Sequence, residues 1–265
     1  MRSKFRLMLQ APKYKLHRRF GWPKTLPVNL TVSVTNLCNS RCKTCYIWKL
    51  YLEKPSLKNS ELKTYEFERI FESLGDQVFW ATISGGEPFL RQDLPQICEA
   101  LYEHCKPAII NIPTNALLPA VIEARTRQIL EKCPDAEVIV NLSLDGIGKE
   151  HDEIRGVPGN FEKLINTYER LKLLKETYLQ LKVGIHTVVS KFNVQKLPEL
   201  YQYVIELDPD SFISEVAERR TELFNVDKDV TPPPDIYAKA MIDLSKTIRK
   251  NFLINPDSSK VENSS

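Results

Sequence analysis

The sequence predicts an α/β fold, an open (β/α)6 partial TIM barrel with parallel strands. Strand-like apolar runs alternate with helix-like stretches six times, which favours βαβ units and a parallel sheet. Six such units are fewer than the eight of a closed barrel. The strand-like runs are 28–34, 78–83, 108–112, 138–144, 181–189 and 211–216. The helix-like stretches are about 60–74, 93–105, 118–131, 160–179, 196–207 and 232–250.

The predicted strands have one apolar and one polar face, because side chains alternate along a strand. In the fourth strand Val138, Val140 and Leu142 share one face, and Asn141 and Ser143 lie on the other. We expect the apolar face to pack on helices, since strands of a parallel sheet flanked by helices seldom face solvent. The polar face would then line the barrel interior and form a wet cavity for a substrate.

Length and composition are those of a soluble globular protein. The chain has 265 residues, of which 42% are hydrophobic and 27% charged. This length permits one large domain or two small ones. No run of about 18 apolar residues predicts a transmembrane helix, and the N-terminus lacks the apolar core of a secretory signal. We therefore expect a cytoplasmic protein.

Positive charge is concentrated at the N-terminus. Residues 1–52 contain eleven Lys and Arg and no Asp or Glu. Such an arm could contact an anionic membrane surface or an acidic substrate, or could simply be a solvated leader. We expect no nucleic-acid partner and regard membrane-surface contact through residues 1–24 as a hypothesis. The predicted organisation is a basic arm, a core barrel, and a loop with a C-terminal helix and polar tail, at 1–27, 28–218 and 219–265.

Three of the six cysteines are clustered directly after the first strand. Cys38, Cys42 and Cys45 have the spacing C-x3-C-x2-C. On a helical turn such positions share one face, and thiolates are the usual ligands of iron–sulfur clusters. Three thiolates would leave one iron of a [4Fe–4S] cluster open to a small molecule. The other three, Cys98, Cys105 and Cys133, lie in helix-like segments and are interpreted as small buried hydrophobes.

Two other interpretations of the clustered cysteines stay open. A structural zinc site usually has four ligands in two spaced pairs, and no second pair is present. A redox-active C-x-x-C dithiol would need only Cys42 and Cys45, which leaves Cys38 without a role. The spacing favours the iron–sulfur cluster over both.

Four further motifs accompany the cysteines in a fixed order. Ser84-Gly85-Gly86-Glu87-Pro88 follows the second strand, and Thr114-Asn115 follows the third. Ser143-Leu144-Asp145-Gly146 ends the fourth strand, and His151-Asp152-Glu153-Ile154-Arg155-Gly156 comes shortly after it. Together with the cysteines, these motifs resemble the radical S-adenosylmethionine (SAM) superfamily over residues 28–216. The last motif resembles the subgroup with an auxiliary C-terminal SPASM or twitch cluster domain.

The resemblance implies a cofactor set and an activity. The three cysteines would ligate a [4Fe–4S] cluster, and SAM would bind beside it. The enzyme would cleave SAM reductively to a 5′-deoxyadenosyl radical, which abstracts hydrogen from an unidentified peptide, lipid or cofactor precursor. An electron donor such as flavodoxin or ferredoxin would be needed. The resemblance implies that Gly85, Gly86 and Glu87 bind SAM at its methionine amine. It also implies that Asn115 binds SAM, and that Ser143, Asp145 and Arg155 bind it near the ribose or carboxylate.

The alternative function is a non-catalytic iron–sulfur protein that transfers electrons or senses redox state. Two departures from the family pattern are visible: Thr44 stands where relatives have an aromatic residue, and no cysteine follows Cys133. Either the auxiliary clusters are lost or the chain is truncated. No catalytic residue can be assigned. Candidates for substrate contact lie at predicted strand ends, where α/β barrels build active sites: Asn111, Asn115, His186 and Glu215.

Overall fold

The computed structural model describes residues 12–254. Six strands form one sheet in the order β1-β2-β3-β4-β5-β6, and every neighbouring pair is parallel. The sheet is open, with β1 and β6 at its edges, so the predicted α/β fold is confirmed. The strands are β1 Asn29–Thr35, β2 Trp80–Gly85, β3 Ile109–Thr114, β4 Glu137–Ser143, β5 Leu181–Val189 and β6 Ser211–Val216.

The helices that connect the strands follow the predicted ones within a few residues. Proline lies in the first turn of three of them, where its missing N–H costs no hydrogen bond. Sequence reasoning missed three short helices, at 12–20, 50–53 and 149–155, of which the last contacts the site described below. The helices are α1 at 12–20, α2 Leu50–Glu53, α3 Thr64–Leu74, α4 Leu94–Cys105, α5 Pro119–Lys132, α6 Lys149–Arg155, α7 Asn160–Thr177, α8 Leu197–Leu207 and α9 Pro234–Ile254.

The core lies between the sheet and the helices. Val138, Val140 and Leu142 of β4 are fully buried in it. The other face of the sheet carries a ladder of polar side chains across three strands. Asn141 Nδ2 donates to Asn111 Oδ1 at 2.6 Å, and Asn111 Nδ2 donates to Thr82 Oγ1 at 3.4 Å. The interior face is therefore polar, as the alternation indicated.

The C-terminal helix packs on the last barrel unit. Ala240 and Leu244 of α9 form a small second core with Leu197 and Tyr201 of α8. Part of the predicted basic arm, residues 1–11, and the predicted polar tail at 255–265 lie outside the described residues. Within 12–254, no helix combines the length and the apolar character needed to cross a bilayer.

Candidate metal centre

The three clustered cysteines lie in a loop that leaves the C-terminal end of β1. All three are free thiols; Cys42 is buried, and Cys38 and Cys45 are partly buried. Burial raises the pKa of Cys38 to about 12 and that of Cys45 to about 11. A thiolate at either position therefore needs compensating positive charge, which a metal ligated by sulfur supplies. Among residues 12–254, no group of three or more His, Cys, Asp or Glu side chains is arranged so that it could hold a single metal ion.

The start of the cysteine loop is held by a partly buried acid from outside it. Glu61 Oε1 accepts hydrogen bonds from Thr35 Oγ1 at 2.5 Å, from the Asn36 N–H at 3.1 Å and from the Tyr51 hydroxyl at 2.6 Å. A carboxylate with three donors fixes the exit of β1, because hydrogen bonds to a charged acceptor are the strong ones.

The middle of the cysteine loop is bonded to the end of α6. The Arg41 N–H donates to the Arg155 carbonyl and the Lys43 N–H to the Ile154 carbonyl, both at 2.9 Å. A Cβ at Gly156 would lie 2.3 Å from the Arg41 carbonyl oxygen. This position therefore requires glycine for the loop to approach so closely.

The end of the loop is held by the segment between β6 and α9. Asn225 Nδ2 donates to the Thr44 carbonyl at 2.8 Å, and the Tyr46 N–H donates to the Leu223 carbonyl at 2.8 Å. Thr44, at the position where the family resemblance implies an aromatic residue, is buried. The Tyr46 ring is partly exposed and lies 6.4 Å from the Trp48 ring.

The Gly-Gly-Glu loop after β2 packs directly against the cysteine loop. The Gly86 N–H donates to the Thr35 carbonyl at 2.7 Å, and the Glu87 N–H donates to the Leu37 carbonyl at 2.8 Å. A Cβ at Gly86 would lie 2.2 Å from the Leu37 carbonyl oxygen, and Gly85 has a φ of +123°. The two loops thus meet backbone to backbone, which a larger residue at either glycine would prevent.

Glu87 joins this loop to the end of β3. Its buried carboxylate accepts from the Asn115 N–H at 2.7 Å, from Thr114 Oγ1 at 2.9 Å and from the Phe89 N–H at 3.1 Å. Burial raises its pKa to about 6, and these hydrogen bonds oppose the rise. Asn115 continues the connection, since its Nδ2 donates to Asn39 Oδ1 at 2.7 Å and lies 3.8 Å from Cys38 Sγ.

Asp145 and Arg155 form a buried ion pair behind the cysteine loop. Asp145 Oδ2 accepts from Arg155 Nη1 at 2.9 Å, and its Oδ1 accepts from the Val188 N–H at 2.9 Å. His151, fully buried, accepts from the Asp145 N–H at Nδ1, 3.2 Å away, and its Nε2 bonds Asn160 Oδ1 at 2.7 Å. Both Asp145 oxygens therefore have partners within the chain.

The remaining predicted residues lie on the interior face of the sheet. Ser143 is opposite His186 in the β4–β5 register and is partly exposed. His186 Nε2 lies 3.5 Å from Glu215 Oε1 without a hydrogen bond. Asn141 Oδ1, which sequence reasoning had not singled out, is buried without a partner among the described residues. An unpaired buried acceptor costs free energy unless a ligand or water bonds it.

Sequence reasoning missed the residues that hold the loop in place. Glu61 and Asn225 belong to no motif, and Asn225 bonds a residue 181 positions away in the chain. The only local signal was their residue type, since Asn and Glu often accept or donate to backbone groups. That signal is too common to identify them.

The donor set fits an iron–sulfur cluster. Three thiols lie on one short loop, the neighbouring loop has its glycines at the point of contact, and a buried guanidinium lies nearby with Arg155 Nε unpaired among residues 12–254. Fold and site together define three thiols grouped in one loop at the C-terminal edge of an open parallel α/β sheet.

Comparison with known proteins identifies the family. Residues 32–204 match the Radical SAM superfamily, and the chain belongs to it. Among curated relatives, pre-heme d1 synthase of Dinoroseobacter shibae is 28% identical over 72% of this chain and 43% of its own length. The subtilosin biosynthesis protein AlbA of Bacillus subtilis is 26% identical over 71% of this chain and 39% of its own. The chain thus spans less than half the length of these two relatives.

A solved structure shows the same fold. Native anSMEcpe with bound AdoMet superimposes with a TM-score of 0.64 at 19% identity, over 86% of this chain and 63% of that chain. The resemblance to the radical SAM superfamily is therefore confirmed. Members of this family are enzymes that generally use SAM and a [4Fe–4S] cluster.

We predict that Gly86→Ala separates the two loops and reduces cluster incorporation. The added Cβ would meet the Leu37 carbonyl at 2.2 Å, a contact that backbone must move to relieve. The measurement is iron and sulfide per chain after anaerobic reconstitution. Gly75→Ala is the control, because it adds the same methyl group at a glycine whose Cβ position has nothing within 4 Å. Equal iron content in the two variants would contradict the prediction.

We predict that His151 makes the fold less stable as pH falls. Burial, and then the Arg155 charge, lower the pKa of His151 to about 4, while the unfolded chain protonates it near 6.5. Between these values the unfolded state binds the extra proton, so stability declines as pH decreases. Between about pH 7.5 and about pH 5.5, the free energy of unfolding measured with urea should fall by about 1 kcal/mol less in His151→Gln than in wild type. An identical pH dependence of the two proteins would refute it.

Proposed function

We propose that the chain binds a [4Fe–4S] cluster through Cys38, Cys42 and Cys45 and binds SAM on the adjacent loops. The cluster, when bound, would supply the electron that cleaves SAM to methionine and a 5′-deoxyadenosyl radical, which abstracts hydrogen from a substrate. The observation that carries this proposal is the contact between the cysteine loop and the Gly85-Gly86 turn. That contact would bring a small ligand on the turn next to the open iron.

We assign the protein's own groups roles around SAM. Gly85 and Gly86 allow close approach, and Glu87 holds their loop through three hydrogen bonds. Asn115, which reaches the cysteine loop, and Ser143, which is partly exposed, would contact SAM. We propose that Asp145 and Arg155 act near the ribose or carboxylate of SAM, which their position behind the cysteine loop supports. Both Asp145 oxygens are already bonded, so Asp145 would act on SAM through its partners.

The substrate site is proposed on the polar interior face. Asn111, His186 and Glu215 would line it, together with the unpaired Asn141 Oδ1. The substrate is a peptide, lipid or small molecule. One relative is a pre-heme d1 synthase and another a bacteriocin biosynthesis protein, so similarity to them does not select among these classes. We place the core barrel at 28–218, with 219–265 as its C-terminal extension.

The catalytic proposal is favoured over a non-catalytic electron carrier or redox sensor. An electron carrier has no need for a glycine turn held against the cluster loop or for a polar interior face beside it. We propose a flavodoxin or ferredoxin as the reductant. Free thiols and an oxygen-sensitive cluster suit a reducing compartment, which supports a cytoplasmic location.

We predict that replacing Cys38, Cys42 or Cys45 by Ala abolishes cluster assembly, because a cubane cannot be held by two thiolates in this loop. Anaerobically reconstituted wild type should form 5′-deoxyadenosine from SAM and dithionite, and the three variants should form none above background. Cys98→Ala is the matched control: Cys98 is also buried, but it lies in α4. An intact cluster absorbance in any loop variant would overturn the ligand assignment.

We further propose that the N-terminal arm contacts an anionic membrane surface. Within residues 12–27 five cations, Lys13, Lys15, Arg18, Arg19 and Lys24, occur without an acid. Phe20 is 67% exposed and Trp22 is 74% exposed. Aromatic rings and cations on one segment are typical of an interfacial membrane anchor.

The expected result is binding to vesicles that contain phosphatidylglycerol and not to pure phosphatidylcholine, measured by co-sedimentation. Each cation near the surface contributes about 1 kcal/mol, so the double variant Arg18→Gln and Arg19→Gln should bind at least about tenfold more weakly. Trp22→Ser should also weaken binding, whereas Leu179→Ser, at an 81% exposed site outside the arm, should not. Equal affinity for both vesicle types would contradict the proposal.

A further inference from the structure

We propose that the Arg155–Asp145 ion pair sets the reduction potential of the cluster: Arg155 raises it and Asp145 limits the rise. Arg155 would thus act on the cluster through the positive charge of its guanidinium. The inference rests on the proposed function, because it requires the three cysteines to hold a cluster.

The backbone of Arg155 fixes it beside the cysteine loop. Its carbonyl accepts hydrogen bonds from the Arg41 N–H at 2.9 Å and from Ser40 Oγ at 3.2 Å. Both donors lie between Cys38 and Cys42 in the chain. The backbone of Arg155 is therefore held next to the cysteine loop by bonds that do not depend on the charge of its side chain.

The guanidinium itself is nearly inaccessible to water. The Arg155 side chain is 10% exposed, and Nη1 is used by Asp145 at 2.9 Å. Nε is buried and has no hydrogen-bond partner within residues 12–254. An unpaired buried donor on a cation is costly, and the sulfur atoms of a cluster in the neighbouring loop are acceptors that would relieve this cost.

The guanidinium remains charged at this site. Burial disfavours the charged form, yet Cys42, Asp145 and Cys38 outweigh burial and raise the pKa of Arg155 well above its usual range. Burial raises the pKa of Cys38 and Cys45, and the Arg155 charge opposes that rise. The guanidinium charge therefore acts on the cysteine loop, whose thiols become anionic only when a metal displaces their protons.

Reduction adds one negative charge to the cluster, so a fixed cation nearby favours the reduced form. Charge, hydrogen bonds to sulfur and solvent exposure are the terms that set iron–sulfur potentials, and the effect of a charge is larger where water is excluded. Asp145 opposes Arg155, because its carboxylate is fully buried against the guanidinium. Removing one partner or the other should therefore shift the potential in opposite directions.

The test is an EPR-monitored redox titration of the anaerobically reconstituted full chain without SAM, so that any effect on SAM binding does not enter. Arg155→Gln should lower the midpoint potential and Asp145→Asn should raise it. Each change is expected to alter the reduction equilibrium constant by about tenfold, which is about 59 mV for one electron. Lys132→Gln is the control: Lys132 is also paired with a carboxylate, that of Glu99 at 2.6 Å, but it lies at the end of α5 just before β4 begins, and its loss should leave the potential unchanged.

The outcomes separate this inference from the proposed function. If wild type assembles no cluster, the proposed function fails. If the cluster assembles and both variants leave its potential unchanged, or shift it in the same direction, the ion pair does not set the potential. Should Arg155→Gln not assemble a cluster, Arg155→Lys and Asp145→Asn decide: the Lys variant is expected near the wild-type potential and the Asn variant above it, and an unshifted or lowered Asn variant overturns the inference.

Discussion

The structure depends most on how the loop after β1 is held. Its three thiols lie where burial disfavours thiolates, so the loop can serve a metal only if its backbone is positioned before the metal arrives. Hydrogen bonds from four separate parts of the chain do this: from Glu61, from the loop after β2, from α6 and from the segment before α9. Each anchor lies at the C-terminal edge of the sheet, where a parallel arrangement brings distant loops together.

Periodicity was sufficient to predict the fold. Alternating side chains located all six strands, and Val138, Val140 and Leu142 are buried on the expected face. The family resemblance implied that the Gly-Gly-Glu residues bind SAM beside the cluster, and the structure shows their turn in contact with the cysteine loop. The sequence did not predict α6 as a helix, although its residues were recognised as a motif. Its seven residues are too few for a clear helical period, and it is fixed by contacts with Arg41 and Lys43 that lie more than 100 residues earlier.

On the interior face of the sheet, too, the sequence pattern predicted where a side chain lies but not which distant residue it contacts. Alternation predicted that Asn141 would point into the barrel, but its unpaired oxygen depends on Gly184 of the next strand. A Cβ at Gly184 would lie 2.0 Å from Asn141 Oδ1. Gly184 therefore leaves room for the Asn141 amide. The two residues are neighbours because of the β4–β5 register, which the sequence pattern alone does not give.

The acids of the site organise the backbone and leave ligand contact to other groups. Glu61 and Glu87 each accept three hydrogen bonds from within the chain, and Asp145 accepts from Arg155 and Val188. Both oxygens of the buried Glu87 and Asp145 carboxylates are bonded, so these acids cannot act as metal ligands without opening the loops that they join; the three hydrogen bonds of the partly buried Glu61 all go to Oε1, and its Oε2 lies 4.0 Å from Arg91 Nη1. Thiols, glycine backbone and a buried guanidinium remain for the cofactors. A soft, sulfur-bridged cluster suits that set better than a hard cation, which would require the oxygens that the fold has already used.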